Sequence, residues 1–251
     1  MNSNIEHLVS AAAIVYFEYV AREVRVLQNW AGAGVGGLLP AGGDTGLKTG
    51  GYMEPWFERM AAIPGLSFTG SPGVVRESLP GANDRPDESY GSAMWPTPEG
   101  STSATPASRH VPREARGPEL AVRVWEALEI PGSAMDYHFV LQHAVSQLWA
   151  ERRSDPDALE LLEVFALLDL ELMEAAPQAV SFDFTDDEHS FVRVSSVPQL
   201  IDLLEREGAL LEALDLARRL ARFGQGEDLV EQLSGKVTVL ASEADLEDGP
   251  A

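Results

Sequence analysis

Residues 197–224 constrain the fold of this chain more than any other segment. Leucine and other apolar residues recur every three or four positions on both sides of Gly208, which is the pattern of two amphipathic helices joined by a turn. Glycine is common at such a turn because it adopts a left-handed backbone conformation at little cost. Ala213 and Ala217 are small residues spaced four apart, so they let the second helix approach the first closely. The segment therefore predicts a helical hairpin.

Helical periodicity and helix-start signals also occur in much of the rest of the chain. Ser133 or Asp136 can cap a helix, and Pro156 follows Ser154 in a strong start signal. Alternating apolar residues within 178–196 indicate short extended pieces. The predicted helices cover residues 4–30, 52–63, 119–129, 133–153, 156–176, 197–206, 209–223 and 227–242.

A long stretch between the predicted helices has a different composition. Residues 71–117 are rich in proline, glycine, serine and threonine and poor in periodic apolar residues, so they bury too little surface to offset the entropy of ordering them. We predict a flexible linker here, in which Met94 and Trp95 dock locally. The chain is thus predicted to be mostly α-helical, with an N-terminal helical segment (1–70), the linker (71–117), an acidic helical-hairpin domain (118–243) and an acidic tail (244–251).

The net charge argues against some classes of partner. The formal charge is −22, and the residues from Pro118 onward include 28 acidic and 9 basic side chains. A negative surface repels nucleic acid and anionic lipid, because binding a phosphate backbone requires clustered lysine and arginine. We therefore expect neither nucleic acid nor a membrane as a partner, whereas a basic protein would be attracted.

Composition also bears on location. Cysteine is absent, so no disulfide framework is possible, which fits a reducing cytoplasm. The apolar run from Leu8 to Phe17 is shorter than the about 20 residues of a membrane-spanning helix, and it lacks the basic residues that precede such a run in a signal peptide. Arginine outnumbers lysine 16 to 2, which with abundant alanine, glycine and leucine suggests a GC-rich bacterial genome. We expect a cytoplasmic bacterial protein.

Eight residues of the hairpin segment recur at the spacing of a helix-turn-helix repeat: Val197, Leu200, Leu204, Gly208, Leu210, Ala213, Ala217 and Leu220. They resemble the tetratricopeptide repeat, a unit of about 34 residues. Ile201 and Gln225 depart from that pattern, which has a small residue and a proline at these places. A longer hairpin at 136–176 fits the pattern less well. The resemblance implies an α-solenoid-like stack that binds other proteins, and an ordinary helical bundle is the alternative.

One face of the predicted helix at 156–176 is strongly acidic. Such a face can bind a basic partner, or it can simply be a solvated surface. Asp169 lies instead near the middle of the opposite, apolar face. Because an unpaired buried carboxylate is unfavourable, we expect Asp169 to be a structural anchor that pairs with an arginine or several donors. The acidic face consists of Asp157, Glu160, Glu163, Glu171 and Glu174.

We predict no catalytic, metal or cofactor site. His138 and His143 are five residues apart, so they do not share a helix face as two metal ligands would. Residues 32–37 fit the pattern G-x-G-x-x-G, but a predicted helix rather than a strand precedes them. Residues 43–49 lack the adjacent Gly-Lys pair of a phosphate-binding loop. A mobile loop is the default interpretation of both stretches.

We expect the chain to be a non-enzymatic protein–protein interaction module whose contact surface is the groove between helical hairpins. Arg218, Arg219 and Arg222 form a rare basic cluster that would contribute to that surface. The alternative is an acidic immunity or inhibitor protein that neutralises a basic toxin or nuclease by charge complementarity. A third hypothesis is a nucleotide-dependent enzyme that uses the loop from Gly32 to Thr49.

Overall fold

A computed structural model describes residues 59–87, 93–155, 157–185 and 188–247 of the chain. The helix predicted at 4–30 and the glycine-rich loop from Gly32 to Thr49 lie outside these residues. Only the end of the helix predicted at 52–63 is described, and a 3-10 turn is found there at Met60–Ala62.

The described part of the chain is mostly α-helical, as predicted, and has little strand. Further 3-10 turns occur at Arg76–Ser78 and Pro177–Ala179. Two short antiparallel β-hairpins are formed by β1 (Trp95–Thr97) with β2 (Gly100–Thr102) and by β3 (Ser181–Thr185) with β4 (Glu188–Phe191). The helices are α1 (Pro106–His110), α2 (Gly117–Ala127), α3 (Ala134–Glu151), α4 (Asp157–Ala175), α5 (Ser196–Glu207), α6 (Leu210–Ala221) and α7 (Glu227–Glu247).

Ser133 and Asp136 together start α3. The Ser133 hydroxyl accepts a hydrogen bond from the Asp136 amide at 3.1 Å, and the Asp136 carboxylate accepts one from the Ser133 amide at 2.8 Å. This reciprocal pair is a capping box, which satisfies backbone donors that the first turn of a helix leaves unpaired. The two residues were alternatives in the sequence, and the structure uses both.

The turn between α5 and α6 has the geometry that a helical hairpin requires. Gly208 has a φ of +82°, in the left-handed region. The amides of Gly208 and Ala209 donate to carbonyls in the last turn of α5, at 3.2 and 2.9 Å, and so satisfy acceptors that the end of the helix leaves unpaired. Ala213 and Ala217 of α6 are fully buried, as a close approach of α6 to α5 demands.

The longer helices pack on one another as pairs along the chain. A short loop joins α3 to α4, and these two helices pack along their lengths. Helix α5 contacts both of them, α6 packs on α5, and α7 packs on α6. One apolar core runs through all of these helices. No helix in the described part of the chain is long and apolar enough to span a membrane.

The described residues between 59 and 116, which we call the strap, comprise the end of the predicted N-terminal helical segment (1–70) and most of the linker predicted at 71–117. Ala107 and Trp95 are buried within the linker range, which differs from the prediction there. Met60, Ile63, Phe68 and Ala107 of the strap are buried in the same core as the helices, and Trp95 is only 2% exposed. Met60 and Ile63 lie at the end of the helix predicted at 52–63, whereas Phe68, Trp95 and Ala107 are isolated apolar residues that periodicity does not reveal. Each of these side chains is nevertheless buried, and the burial of their apolar surface offsets the entropy of ordering the segment. The strap and the helices therefore share one core.

A buried carboxylate anchors the strap to the helices. Glu129 lies just after α2 and is only 3% exposed. Its carboxylate accepts hydrogen bonds from the Ser71 amide at 2.5 Å and from the Arg76 Nε at 2.8 Å. A second guanidinium nitrogen of Arg76 lies 2.6 Å away. A buried charge needs such partners to be tolerated, and here the strap supplies them.

The segment before α5 contains the β3–β4 hairpin, in the region where short extended pieces were predicted. Gln225, which follows α6, holds the chain that leaves this hairpin. Its side-chain oxygen accepts from the Val194 amide, and its side-chain nitrogen donates to the Val192 carbonyl, both at 2.9 Å. Gln225 stands where the tetratricopeptide pattern has proline, which has no side-chain amide. This departure from the pattern therefore has a structural role.

Candidate functional site

A groove of about 430 Å³ opens between α4, α5 and α6. Its size lies within the range of about 300–1,000 Å³ that is typical of binding pockets. No described residue of the strap lines it. Five leucines and four charged side chains form its walls: Leu167, Leu200, Leu204, Leu211 and Leu216, with Glu163, Glu212, Asp215 and Arg219.

The helical repeat explains why these leucines meet. Leu200 and Leu204 are one turn apart on α5, so they share a face, and Leu216 of α6 is buried beside them. Leu211, in the first turn of α6, is 67% exposed at the edge of the groove. Full burial of a leucine side chain is worth about 1.5–3 kcal/mol, and this leucine has gained little of it within the chain.

The groove has a direction. Helix α4 runs opposite to α5, because Asp169 near the end of α4 contacts Ser196 at the start of α5. Helix α6 doubles back from α5 and so runs parallel to α4, with its last turn beside the last turn of α4, where Arg219 contacts Glu174. The first turn of α6, with Leu211, therefore marks one end of the groove and Arg219 the other.

The five carboxylates of the predicted acidic face have different surroundings. Asp157 and Glu160 are exposed, and Glu163 lines the groove. Glu171 accepts a hydrogen bond from the Ser67 hydroxyl of the strap at 2.5 Å, and Glu174 pairs with Arg219. The face is therefore not one uniform surface, since its C-terminal half is engaged in contacts within the chain.

The predicted arginine cluster is likewise divided. Arg219 donates two hydrogen bonds of 2.9 Å to the two oxygens of Glu174. These bonds raise the pKa of Arg219, and the partial burial of its guanidinium opposes the rise. Arg222 approaches the same carboxylate at 3.7 Å, and Arg218 is exposed. Bidentate pairing of this kind fixes the geometry of α6 against α4.

Asp169 is the centre of a buried polar cluster. It is fully buried together with His138 of α3 and Ser196 of α5. His138 Nδ1 lies 2.7 Å from one oxygen of Asp169, and the Ser196 hydroxyl donates to the other. The donors that the sequence required for Asp169 thus come from two other helices, and no arginine is among the residues that bond to its carboxylate in the described structure.

The arrangement of this cluster differs from that of a nucleophilic triad. Ser196 and His138 both point at the carboxylate, so the imidazole is not held to take the proton of the serine, as a general base would. All three side chains have no exposure to solvent. His138 Nε2 is buried and has no hydrogen-bond partner within the described residues. The geometry is that of a junction between helices rather than of a reaction centre.

His143 is separated from His138 and has other neighbours. Partial burial lowers its pKa, and the positive charges of Arg116 and Arg113 in the strap lower it further. Among the described residues there is no group of three or more side chains that could hold a metal ion.

A second apolar surface lies on α7. Val239 is 54% exposed and Leu240 is 53% exposed. They border a more open depression beside the turn between α5 and α6, where Lys236 pairs with Glu205. This surface contains no residue that lines the groove between α4, α5 and α6, so its exposed apolar residues offer matched control positions for experiments on that groove.

Comparisons with protein-family models, with curated protein sequences and with solved structures found no match. What the structure itself defines is a helical protein of packed helix pairs. The groove between α4, α5 and α6, which has a leucine-lined floor and charged walls, is the candidate functional site.

Proposed function

We propose that this protein is a non-enzymatic interaction module with a tetratricopeptide-like hairpin, and that the groove between α4, α5 and α6 binds its partner protein. The observation that carries the proposal is the exposed leucine at the edge of that groove. Leu211 is 67% exposed beside a leucine-lined depression. Apolar side chains around a concave surface are typical of protein-binding sites, because a partner that covers them removes them from water.

The geometry of α5 and α6 supports the repeat-like part of the proposal. Gly208 ends α5 in the left-handed conformation, and Ala213 and Ala217 are buried between the two helices. An isolated hairpin in a helical bundle would have the same features. The interaction function therefore rests on the groove and not on membership of a repeat family.

An acidic inhibitor of a basic toxin or nuclease is the second candidate. Asp157 and Glu160 are exposed on α4, and the net charge of −22 would attract a basic partner. In that case charge would hold the partner, and affinity would fall steeply as salt screens it. A groove-bound partner would depend mainly on apolar contacts.

Capture of a partner by groove variants tests the leading proposal. The full chain, Leu211→Ser and the control Val239→Ser serve as baits in extracts of cells that express the protein, and the captured partner is then purified and titrated. We expect Leu211→Ser to weaken binding at least tenfold, which is about 1.4 kcal/mol, because the partner loses an apolar contact. Val239→Ser should bind like the unmodified chain. Equal affinities for all three proteins would contradict the proposal.

A charge variant separates the two candidates. Asp157→Asn with Glu160→Gln removes two exposed carboxylates that do not line the groove. For a groove-bound partner we expect less than a tenfold loss of affinity. A loss of a hundredfold or more at low salt that disappears at high salt would favour the acidic inhibitor.

A further inference from the structure

We infer that the partner segment in the groove is an amphipathic α-helix with basic side chains in its N-terminal half, lying parallel to α4 and α6. This inference rests on the proposed function and names the occupant of the same groove.

The shape fits a helix. Parallel helices α4 and α6 form the two walls, and Leu200 and Leu204 of α5 lie between them. Leu211 and Arg219 are eight residues apart on α6, so the groove is about 12 Å long, or two turns of a helix. A helix that presents apolar residues at positions i, i+3, i+4 and i+7 covers such a floor with one face.

The charge of the groove is negative. Three carboxylates and one guanidinium line it, so the lining carries two more negative than positive side chains. Glu212 and Asp215 are on α6, next to the exposed Leu211. Basic side chains on the flanks of an apolar stripe would therefore be complementary to the groove, and acidic ones would be repelled.

The direction follows from the uneven distribution of this charge. Glu212 lies at the end of the groove that Leu211 marks, where the described lining includes no basic side chain, whereas Arg219 and Arg222 lie at the other end and offset Glu174 there. The N-terminus of a helix carries partial positive charge and its C-terminus partial negative charge. In a helix whose N-terminal half lies beside Glu212 and whose C-terminal end lies near the arginines, the partial charges at both ends are complementary to the groove. Because α6 runs from Leu211 to Arg219, that occupant is parallel to α6.

Four synthetic peptides of about 18 residues, which form helices of about 27 Å, test the inference on the full chain. The first has leucines at i, i+3, i+4 and i+7 and lysines in its N-terminal half. The second has the lysines in its C-terminal half, and the third has glutamate in place of lysine. The fourth has the composition of the first in an order without helical periodicity. Fluorescence anisotropy at two salt concentrations measures each affinity.

We expect the first peptide to bind at least tenfold more tightly than the third and fourth, and measurably more tightly than the second. Glu212→Gln should weaken the first peptide at least threefold, and Leu211→Ser at least tenfold. The controls Glu160→Gln and Val239→Ser, which change an exposed carboxylate on α4 and an exposed apolar residue on α7, should leave its affinity unchanged.

Each other outcome overturns a defined part of the inference. Equal binding of the first and third peptides, both sensitive to Leu211→Ser, would overturn the basic character and leave the groove as the site. Binding of the first peptide that ignores Leu211→Ser would show attraction to the acidic surface only. If no peptide binds, the groove does not accept a basic amphipathic helix. If the protein instead self-associates with rising concentration, and Leu211→Ser abolishes this association, a second copy of the chain is the occupant. The proposed function itself is judged separately, by capture of the partner.

Discussion

The strap covers one surface of the helices and leaves another uncovered. The strap inserts Met60, Ile63 and Phe68 into the core shared with the helices and closes that surface with apolar contacts and the buried Glu129 pair. The groove between α4, α5 and α6 receives nothing from the strap and leaves Leu211 exposed. An irregular segment can thus complete a helical core without a periodic pattern. The surface that it leaves uncovered is where a partner is expected.

The largest effect should come from emptying the covered surface. Phe68 is only 2% exposed, so Phe68→Ala removes a packed ring and leaves a cavity. We expect the free energy of unfolding to fall by about 3–5 kcal/mol, measured by urea denaturation. Leu211→Ala, on the open surface, should change it by less than about 0.5 kcal/mol.

Equal and small effects of these two substitutions would show that Phe68 contributes no packing and that the strap does not stabilise the surface it covers. Limited proteolysis gives an independent measure of the same point. A linker predicts a resistant fragment that begins near residue 117, whereas a packed strap protects the described residues before it as strongly as the helices are protected.

A smaller effect is expected at the anchor of the strap. Glu129→Gln keeps the shape of the side chain but removes the charge that pairs with Arg76. We expect a loss of about 1–3 kcal/mol in unfolding free energy, because a charged hydrogen-bonded pair is replaced by a neutral contact. The matched control is Glu160→Gln on α4, which is exposed and should be nearly neutral. If both variants unfold alike, Glu129 does not anchor the strap.

Around the groove, the stability of the protein should depend on the turn at Gly208, which positions α6 against α5. Gly208 has a φ of +82°, and a β-branched residue is strained in that conformation. Gly208→Val should lower the unfolding free energy by about 1–3 kcal/mol. The space around Gly208 is open, so the loss would come from the backbone and not from a clash. A variant with the melting temperature of the unmodified chain would contradict the hairpin turn.

The smallest effect concerns the ionisation of His143. Its pKa is lowered by burial and then by Arg116 and Arg113 of the strap, so Arg116→Gln should raise it toward the usual value of about 6.5. The pKa of His143 is lower in the folded state than in the unfolded state, so the folded state binds fewer protons. The free energy of unfolding therefore decreases as the pH falls from about 6.5, the unfolded pKa, toward the lower folded pKa. NMR titration of the imidazole measures the shift. An unchanged pKa would place the arginines of the strap away from α3.

Several parts of this structure were predictable because their physical cause is local. The capping residues Ser133 and Asp136, and Gly208 at the end of α5, act within one turn of a helix, and the predicted helices lie where these signals place them. Asp169 was recognisable as a buried carboxylate in need of donors. Its donors were not, because His138 lies 31 residues before it and Ser196 lies 27 residues after it.

The strap and the groove depend on contacts that no local pattern encodes. Arg76 meets Glu129 across 53 residues of sequence, and Arg219 meets Glu174 across 45. Each pairing depends on how whole elements pack, so the acidic face and the arginine cluster, which look like separate surfaces in the sequence, turn out to contact each other. The repeat pattern predicted the α5–α6 hairpin but not the neighbours of α4 that complete the groove.

The cluster at Asp169 also has a consequence for which packings the sequence permits. Apolar faces alone specify the packing of helices less sharply, because a core of about the right volume tolerates a slip or another rearrangement of its apolar contacts. A carboxylate that must meet a histidine from α3 and a serine from α5 at the same moment tolerates no such slip. We expect Asp169→Leu to keep its helical content but to adopt several arrangements of α3, α4 and α5. The core methyl signals in NMR spectra would then be broadened or less dispersed than those of the unmodified chain. The polar junction at Asp169 would then fix the packing register of α3, α4 and α5, whose apolar surfaces alone fit together in more than one way.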